Sequence, residues 1–193
     1  MRDHALYPSL HDTDLLMLNG PFTELQGDGT RSLSLVPPSM FGPPEKIHVD
    51  MKDTATPGVI TATIGKGVVT WVPWDLGALY YRHSLPAHAG LFRDLVATLL
   101  PEPQLKTDAH PLVEVTFMEQ GTRRLVHLVN LTGHSQTGYF APVPMHNINI
   151  EVAGNYLRAH TVRTPGALPL RKAGARTVFT IPVLRDYELV VLE

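Results

Sequence analysis

The sequence predicts an α/β region followed by an antiparallel β-sandwich. Three observations predict it. The continuous apolar run Leu15-Leu16-Met17-Leu18 lies between Asp12-Thr13-Asp14 and Asn19-Gly20-Pro21, the mark of a strand covered on both faces, as in a parallel sheet. One stretch, Pro86 to Leu100, carries a helical apolar stripe. After residue 105 the apolar period falls from 3.6 to 2. A chain of 193 residues suits one large domain or two small ones. The period change divides it into regions 1–105 and 106–193.

The elements follow in order. Leu33-Ser34-Leu35-Val36 reads as a second strand, ended by Pro37-Pro38. Residues 37–58 hold Pro37, Pro38, Pro43, Pro44 and Pro57 with Gly42 and Gly58, and read as a long irregular loop. Val59 to Ile64 and Val68 to Val72 are rich in β-branched residues and flank Gly65-Lys66-Gly67, which reads as a hairpin. Trp74 to His83 has no clean period and reads as a loop with a short helical turn. The helix over Pro86–Leu100 has Pro86 in its first turn and Ser84 as the expected cap. Its apolar stripe is Leu91, Phe92, Leu95, Val96, Leu99 and Leu100, and Pro101 ends it. Residues 101–108 read as an interdomain linker.

Beyond the linker, Val113, Val115 and Phe117 alternate with polar neighbours, and Gln120-Gly121-Thr122 makes a turn. Leu125 to Leu131 reads as a buried strand. Ile148, Ile150 and Val152 give the cleanest half-buried alternation. Leu157–Arg163, Thr177–Val183 and Tyr187–Leu192 complete a set of short strands, the pattern of a sandwich. The first region supplies several strands but one convincing helix, so it reads as the end of an α/β fold. No fixed-period repeat or low-complexity tract occurs.

Composition excludes several function classes. Lys plus Arg is 16 and Asp plus Glu is 18, a formal net charge of −2, which gives no global basic field for nucleic acid. The 44% hydrophobic share is enough for a core. With no Cys there are no disulfides, Cys-ligated zinc sites, iron–sulfur clusters or cysteine nucleophiles. Neither a signal-peptide pattern nor a spanning apolar run is seen, so no membrane association and a cytoplasmic location are expected.

Local chemistry is sparse. Ten His residues lack the close same-face spacings that place two imidazoles on one ion; His83 and His88 are five apart. No metal and no cofactor is expected. Gly65-Lys66-Gly67 lacks the rest of a phosphate loop, and neither a dinucleotide fingerprint nor a nucleophile elbow occurs. Asp12, Asp14, Glu24, Asp75 and Glu114 are the carboxylates that could form an acid–base pair, but the sequence sets no pair at a defined geometry, and surface or capping roles account for each. No catalytic residue is assigned.

The most suggestive cluster is Trp71, Trp74, Asp75, Tyr80, Tyr81, Arg82 and His83, which holds both Trp of the chain. Aromatic faces beside polar groups suit sugar rings. The same residues suit a protein interface or plain core packing. All three readings stay open at this point.

The stretches Gly65-Lys66-Gly67-Val68-Val69-Thr70-Trp71-Val72-Pro73-Trp74-Asp75-Leu76, Leu79-Tyr80-Tyr81-Arg82 and Leu91-Phe92-Arg93-Asp94-Leu95 resemble the end of the β-galactosidase trimerisation-like domain. The strand Leu125–Gly133 and the terminal Asp186–Glu193 resemble the β-sandwich that closes such glycoside hydrolases. The resemblance implies a partial flavodoxin-like, amidotransferase-like α/β domain followed by the sandwich. Catalysis in such enzymes belongs to a barrel of about 250 residues, which this chain has no room for. The chain is therefore expected to be a non-catalytic accessory region with oligomerising and framing roles. Homo-oligomers are expected, with carbohydrate as a further candidate partner. The alternatives are a stand-alone carbohydrate-binding module and a structural oligomerisation protein without ligand.

Overall fold

The computed structural model describes residues 5–24, 27–38, 42–45, 54–135 and 137–193. The chain divides into two compact units, Met1–Glu102 and Pro103–Glu193. Residues 39–41 and 46–53 of the loop expected over 37–58 lie outside the described residues.

In the first unit, a 3-10 turn at Pro8–Leu10 precedes strands β1 (Thr30–Ser34), β2 (Pro57–Ile64) and β3 (Gly67–Trp71). They form a three-stranded sheet in the order β1-β2-β3. The hairpin expected from the β-branched runs is present: Ile64 pairs with Gly67, and Gly65 makes the turn at φ 61. Two helices follow, α1 (Leu76–His83) and α2 (Pro86–Leu99).

Three expectations for this unit are corrected. Leu15–Leu18 does not form a strand. Only Leu16 packs on the core, while Leu15, Met17 and Leu18 are exposed. The Met17 carbonyl accepts from the His88 imidazole at 2.9 Å instead of from a neighbouring strand. An apolar run marks a tendency to bury, and this one found a side-chain donor for its backbone. Second, every ladder among the described residues is antiparallel, so the sheet here is not the parallel one expected of a flavodoxin-like domain. Third, Ser84 does not cap α2. It closes α1 in the left-handed region at φ 50, its N–H bonded to the Tyr80 carbonyl, and Leu85 is the residue before α2. Pro86 forces that preceding residue into an extended conformation, which leaves the Ser84 hydroxyl one residue too far back.

The segment read as a loop with a helical turn is the full helix α1. It buries only Leu76 and Leu79, too few positions to display a period. In α2 the stripe splits: Leu91 and Leu95 are buried with His88, but Phe92, Val96, Leu99 and Leu100 are exposed.

The second unit is a two-layer antiparallel sandwich. Its strands are β4 (Leu105–Thr107), β5 (Val113–Gln120), β6 (Arg123–Asn130), β7 (His134–Ser135), β8 (Gly138–Tyr139), β9 (Met145–Ala153), β10 (Ala159–Thr161), β11 (Gly166–Ala167), β12 (Arg171–Ala173), β13 (Arg176–Leu184) and β14 (Tyr187–Leu192). One sheet has the order β11-β10-β14-β6-β5 and the other β12-β13-β9-β4. The stretch read as a linker thus supplies β4, paired with β9 through Leu105 and Val152. Alternation is what the sandwich needs, because one face of each sheet meets the other. Val126, Leu128, Val190 and Leu192 from one sheet meet Ile148, Ile150, Phe179 and Ile181 from the other in a single core.

Two buried polar side chains of this unit, Asn130 and Glu188, each meet several hydrogen-bond partners. The Asn130 amide donates to the carbonyls of Val143 and Arg185 at 2.8 and 2.7 Å, and its oxygen accepts from the Thr132 N–H and hydroxyl. The Glu188 carboxylate, 3% exposed, accepts the backbone N–H groups of Val162, Arg163, Thr164 and Leu189 at 2.8–3.2 Å. It closes the turn after β10, which has no ladder of its own. Glu188→Gln puts an amide N–H₂ against backbone donors and is expected to cost on the order of 2 kcal/mol, read by urea unfolding of the whole chain. An unchanged midpoint would refute this role.

At the β4–β9 seam, the Asn149 side-chain amide and backbone N–H both donate to Asp108, at 2.6 and 2.7 Å. These bonds hold the Asp108 carboxyl below its ordinary value of 3.8. A depressed folded value gives stability that is present above the unfolded pKa and lost as pH falls through the folded one. The melting-temperature gap between wild type and Asp108→Ala is expected to be full above about pH 5 and to close toward about pH 2. Calorimetry showing a constant gap would contradict this.

Candidate functional site

The residues of the sequence cluster are adjacent in the chain but part company in space. Pro73 ends the strand, and the following backbone carries Trp74 inward. Trp74 forms an isolated bridge with Phe22, and the Thr23 N–H bonds the Pro73 carbonyl at 2.8 Å. At 8% exposure the indole is part of the core. Its N–H donates to the Gly58 carbonyl at 3.0 Å, and its ring meets the edge of His88 at 5.7 Å and 86°. Burial of an indole N–H requires such an acceptor.

The other cluster residues lie at the surface. Trp71 is exposed at the end of β3. Asp75 stands at the start of α1 without a side-chain cap bond. Tyr80 is exposed, and Tyr81 is 88% exposed on the next position of the helix. Arg82 and His83 occupy the last turn of α1, where basic groups complement the helix dipole. The structure therefore joins Trp74 to His88, Phe22 and Gly58 rather than to its sequence neighbours.

Around Trp74 the first unit forms a cleft of about 620 Å³, within the size range of small-molecule sites. Leu10, Leu16, Phe22, Leu33, Val36 and Trp74 make its walls largely apolar, with Asp14 and Asn19 among its polar groups. Its floor is tightly built. Leu33 has φ 53, a conformation rarely adopted by a bulky side chain. Gly58 makes this possible, since a Cβ there would lie 2.6 Å from the Leu33 carbonyl oxygen. An outlier of this kind at a cleft is a pointer to a site.

The carboxylates singled out in the sequence form no acid–base constellation around this cleft. Asp14 lines it. Asp12 pairs with His11 at 2.8 Å, and Glu24 accepts from the Thr56 hydroxyl. Asp75 is exposed just before α1, and Glu114 lies on the exposed side of β5. Among the described residues, no three His, Asp or Glu side chains converge as a metal site. Among them, too, no helix is long and apolar enough to cross a membrane.

Sequence reasoning missed His88, Leu33 and Gly58. For His88 a signal existed: it precedes Leu91 and Leu95 by three and seven residues, on the buried face of α2. Leu33 and Gly58 carried none, because their roles arise from a close approach of two strands.

No protein-family model and no curated protein matches the sequence. Solved structures do match. The chain superposes on α-L-fucosidase isoenzyme 2 from Paenibacillus thiaminolyticus with a TM-score of 0.63 and 16% identity, over 89% of this chain and 27% of that one. The likeness is one of fold. This chain thus spans about a quarter of the fucosidase chain's length. A β-galactosidase from Bacillus circulans sp. alkalophilus matches over 73% of this chain and 16% of its own at 16% identity, with a TM-score of 0.40. A cycloisomaltooligosaccharide glucanotransferase of a Paenibacillus species matches over 55% and 20% at 14% identity, with a TM-score of 0.36. The last two scores are too low to carry an argument.

Gly58→Ala is expected to push β1 off β2, destabilise the first unit by about 1–3 kcal/mol and open the Trp74 environment. A red shift of tryptophan emission, with a lower unfolding midpoint, checks this. Wild-type emission and stability would show that the close approach is not needed.

Proposed function

We propose that this chain is a non-catalytic accessory region of a glycoside-hydrolase-like protein, and that it self-associates. The observation that carries the reading is the shared fold with a portion of an α-L-fucosidase chain, at a TM-score of 0.63 over 89% of this chain. The scattered carboxylates of the described residues are consistent with it, since glycoside hydrolysis needs two carboxyl groups flanking one bond. Kinship of the first unit with the end of a β-galactosidase trimerisation-like domain rests on the sequence stretches alone, because the described strands of that unit are antiparallel. The second unit stands for the closing sandwich.

A second reading, carbohydrate binding, is favoured by exposed aromatic rings, Trp71 at the end of β3 and Tyr80 and Tyr81 on α1, the last two followed by Arg82 and His83. In it the rings stack on sugar C–H faces and the polar groups take hydroxyls. Calorimetric titration with galactosides and fucosides separates the two, with heat abolished by Tyr81→Ala identifying sugar contact.

The accessory reading predicts that purified protein releases no nitrophenol from nitrophenyl α-L-fucoside or β-galactoside above the buffer rate. Turnover that a single carboxylate substitution removes would overturn it.

A further inference from the structure

The outer edge of β3 carries a specific pattern of backbone groups. The hairpin loop has two residues, so Ile64 and Gly67 form its closing hydrogen-bonded pair. Hydrogen-bonded and non-hydrogen-bonded pairs alternate along an antiparallel ladder. Gly67, Val69 and Trp71 thus bond inward to β2, and the N–H and C=O groups of Val68 and Thr70 point outward. β3 ends the sheet order, so among the described residues no strand of the sheet pairs with them. Side chains on both faces of this edge are open: Val68 is 52% exposed, Val69 48% and Trp71 44%. Natural edges are usually blunted by charges, proline or a bulge. The strand Gly67-Val68-Val69-Thr70-Trp71 has no charged residue and no proline, and its register with β2 is unbroken.

We propose that β3 pairs antiparallel with β3 of a second copy of this chain, about a two-fold axis through Val69. The inference rests on the self-association proposed above and names its surface. In this register Val68 of each copy faces Thr70 of the other. Both are outward-facing residues, so each of the two pairs exchanges two hydrogen bonds, and all the outward groups between Val68 and Thr70 are satisfied. Val69 faces its own symmetry mate as a close non-hydrogen-bonded pair, a favourable contact for β-branched side chains. Gly67 faces Trp71, so the large indole of one copy lies over the position where the other has no side chain.

This large-against-small match is what favours a second copy over an unrelated strand. The sequence is complementary to itself in the register that pairs Val68 and Thr70, its two outward-facing residues, with each other. Without charge in the strand, a two-fold axis brings no like charges together, which self-pairing must avoid. The product is one continuous sheet of twice three strands, with both β3 edges removed.

The test is light scattering of the full chain over a concentration series, with circular dichroism confirming that each variant is folded. Wild type is expected to be a dimer. Val69→Lys and Val69→Glu each place like charges at the axis and are expected to raise the dissociation constant about tenfold or more. An equimolar mixture of the two variants puts Lys against Glu and is expected to restore the dimer. Val68→Pro deletes an outward N–H while leaving the β2 ladder intact, and is expected to weaken the dimer likewise. A dimer that persists in both charge variants, or variants that fail to recover on mixing, overturns the β3 pairing and leaves self-association through another surface. A wild type that is monomeric throughout overturns both.

Discussion

The hydrogen bond from the Trp74 indole to the Gly58 carbonyl is the constraint around which the first unit is arranged. Burying an indole places its apolar bulk in the core but leaves one donor that must be met. The acceptor is the backbone of β2 at the point where β1 crosses closest. Gly58 has no side chain there, so Leu33 approaches and takes a left-handed conformation. The Trp74 ring then backs onto His88, whose imidazole reaches the Met17 carbonyl. Sheet, α2 and the segment 15–19 are thus tied through the Trp74 and His88 side chains. The cleft is the space left between these tied parts.

The second unit solves a different problem by a more regular route. Its two sheets bury alternate residues of long strands, and two of its buried polar side chains, Asn130 and Glu188, bind backbone groups. Asn130 and Glu188 sit where backbone leaves a ladder and would otherwise have unmet donors or acceptors. Each replaces several missing backbone bonds with one side chain.

Legibility followed the same division. The strands around Ile148–Val152 and Tyr187–Leu192 were readable because period-2 burial writes itself into the residue order. The β2–β3 hairpin was readable from its glycines and β-branched runs. α1 was not, since two buried leucines in eight residues make no period. Leu15–Leu18 showed that an apolar run fixes neither pairing nor burial by itself, since only Leu16 of the four packs on the core. The site was least legible. The sequence grouped Trp74 with Trp71 and Tyr81 by adjacency, whereas Pro73 turns Trp74 inward and leaves the others outside. Leu33 and Gly58 meet across 25 residues of chain, a proximity that no local pattern encodes.

The placement of the two tryptophans has an optical consequence. Both belong to the first unit, one enclosed and one open to water, and the sandwich holds none. Indole emission therefore reports on half of the molecule and is blind to the other half. The β-sheet amide I band of the infrared spectrum, to which the many strands of the sandwich contribute most, weights that half instead. The two signals offer each half of the chain its own channel, so whether the halves melt together or in sequence is observable without labels.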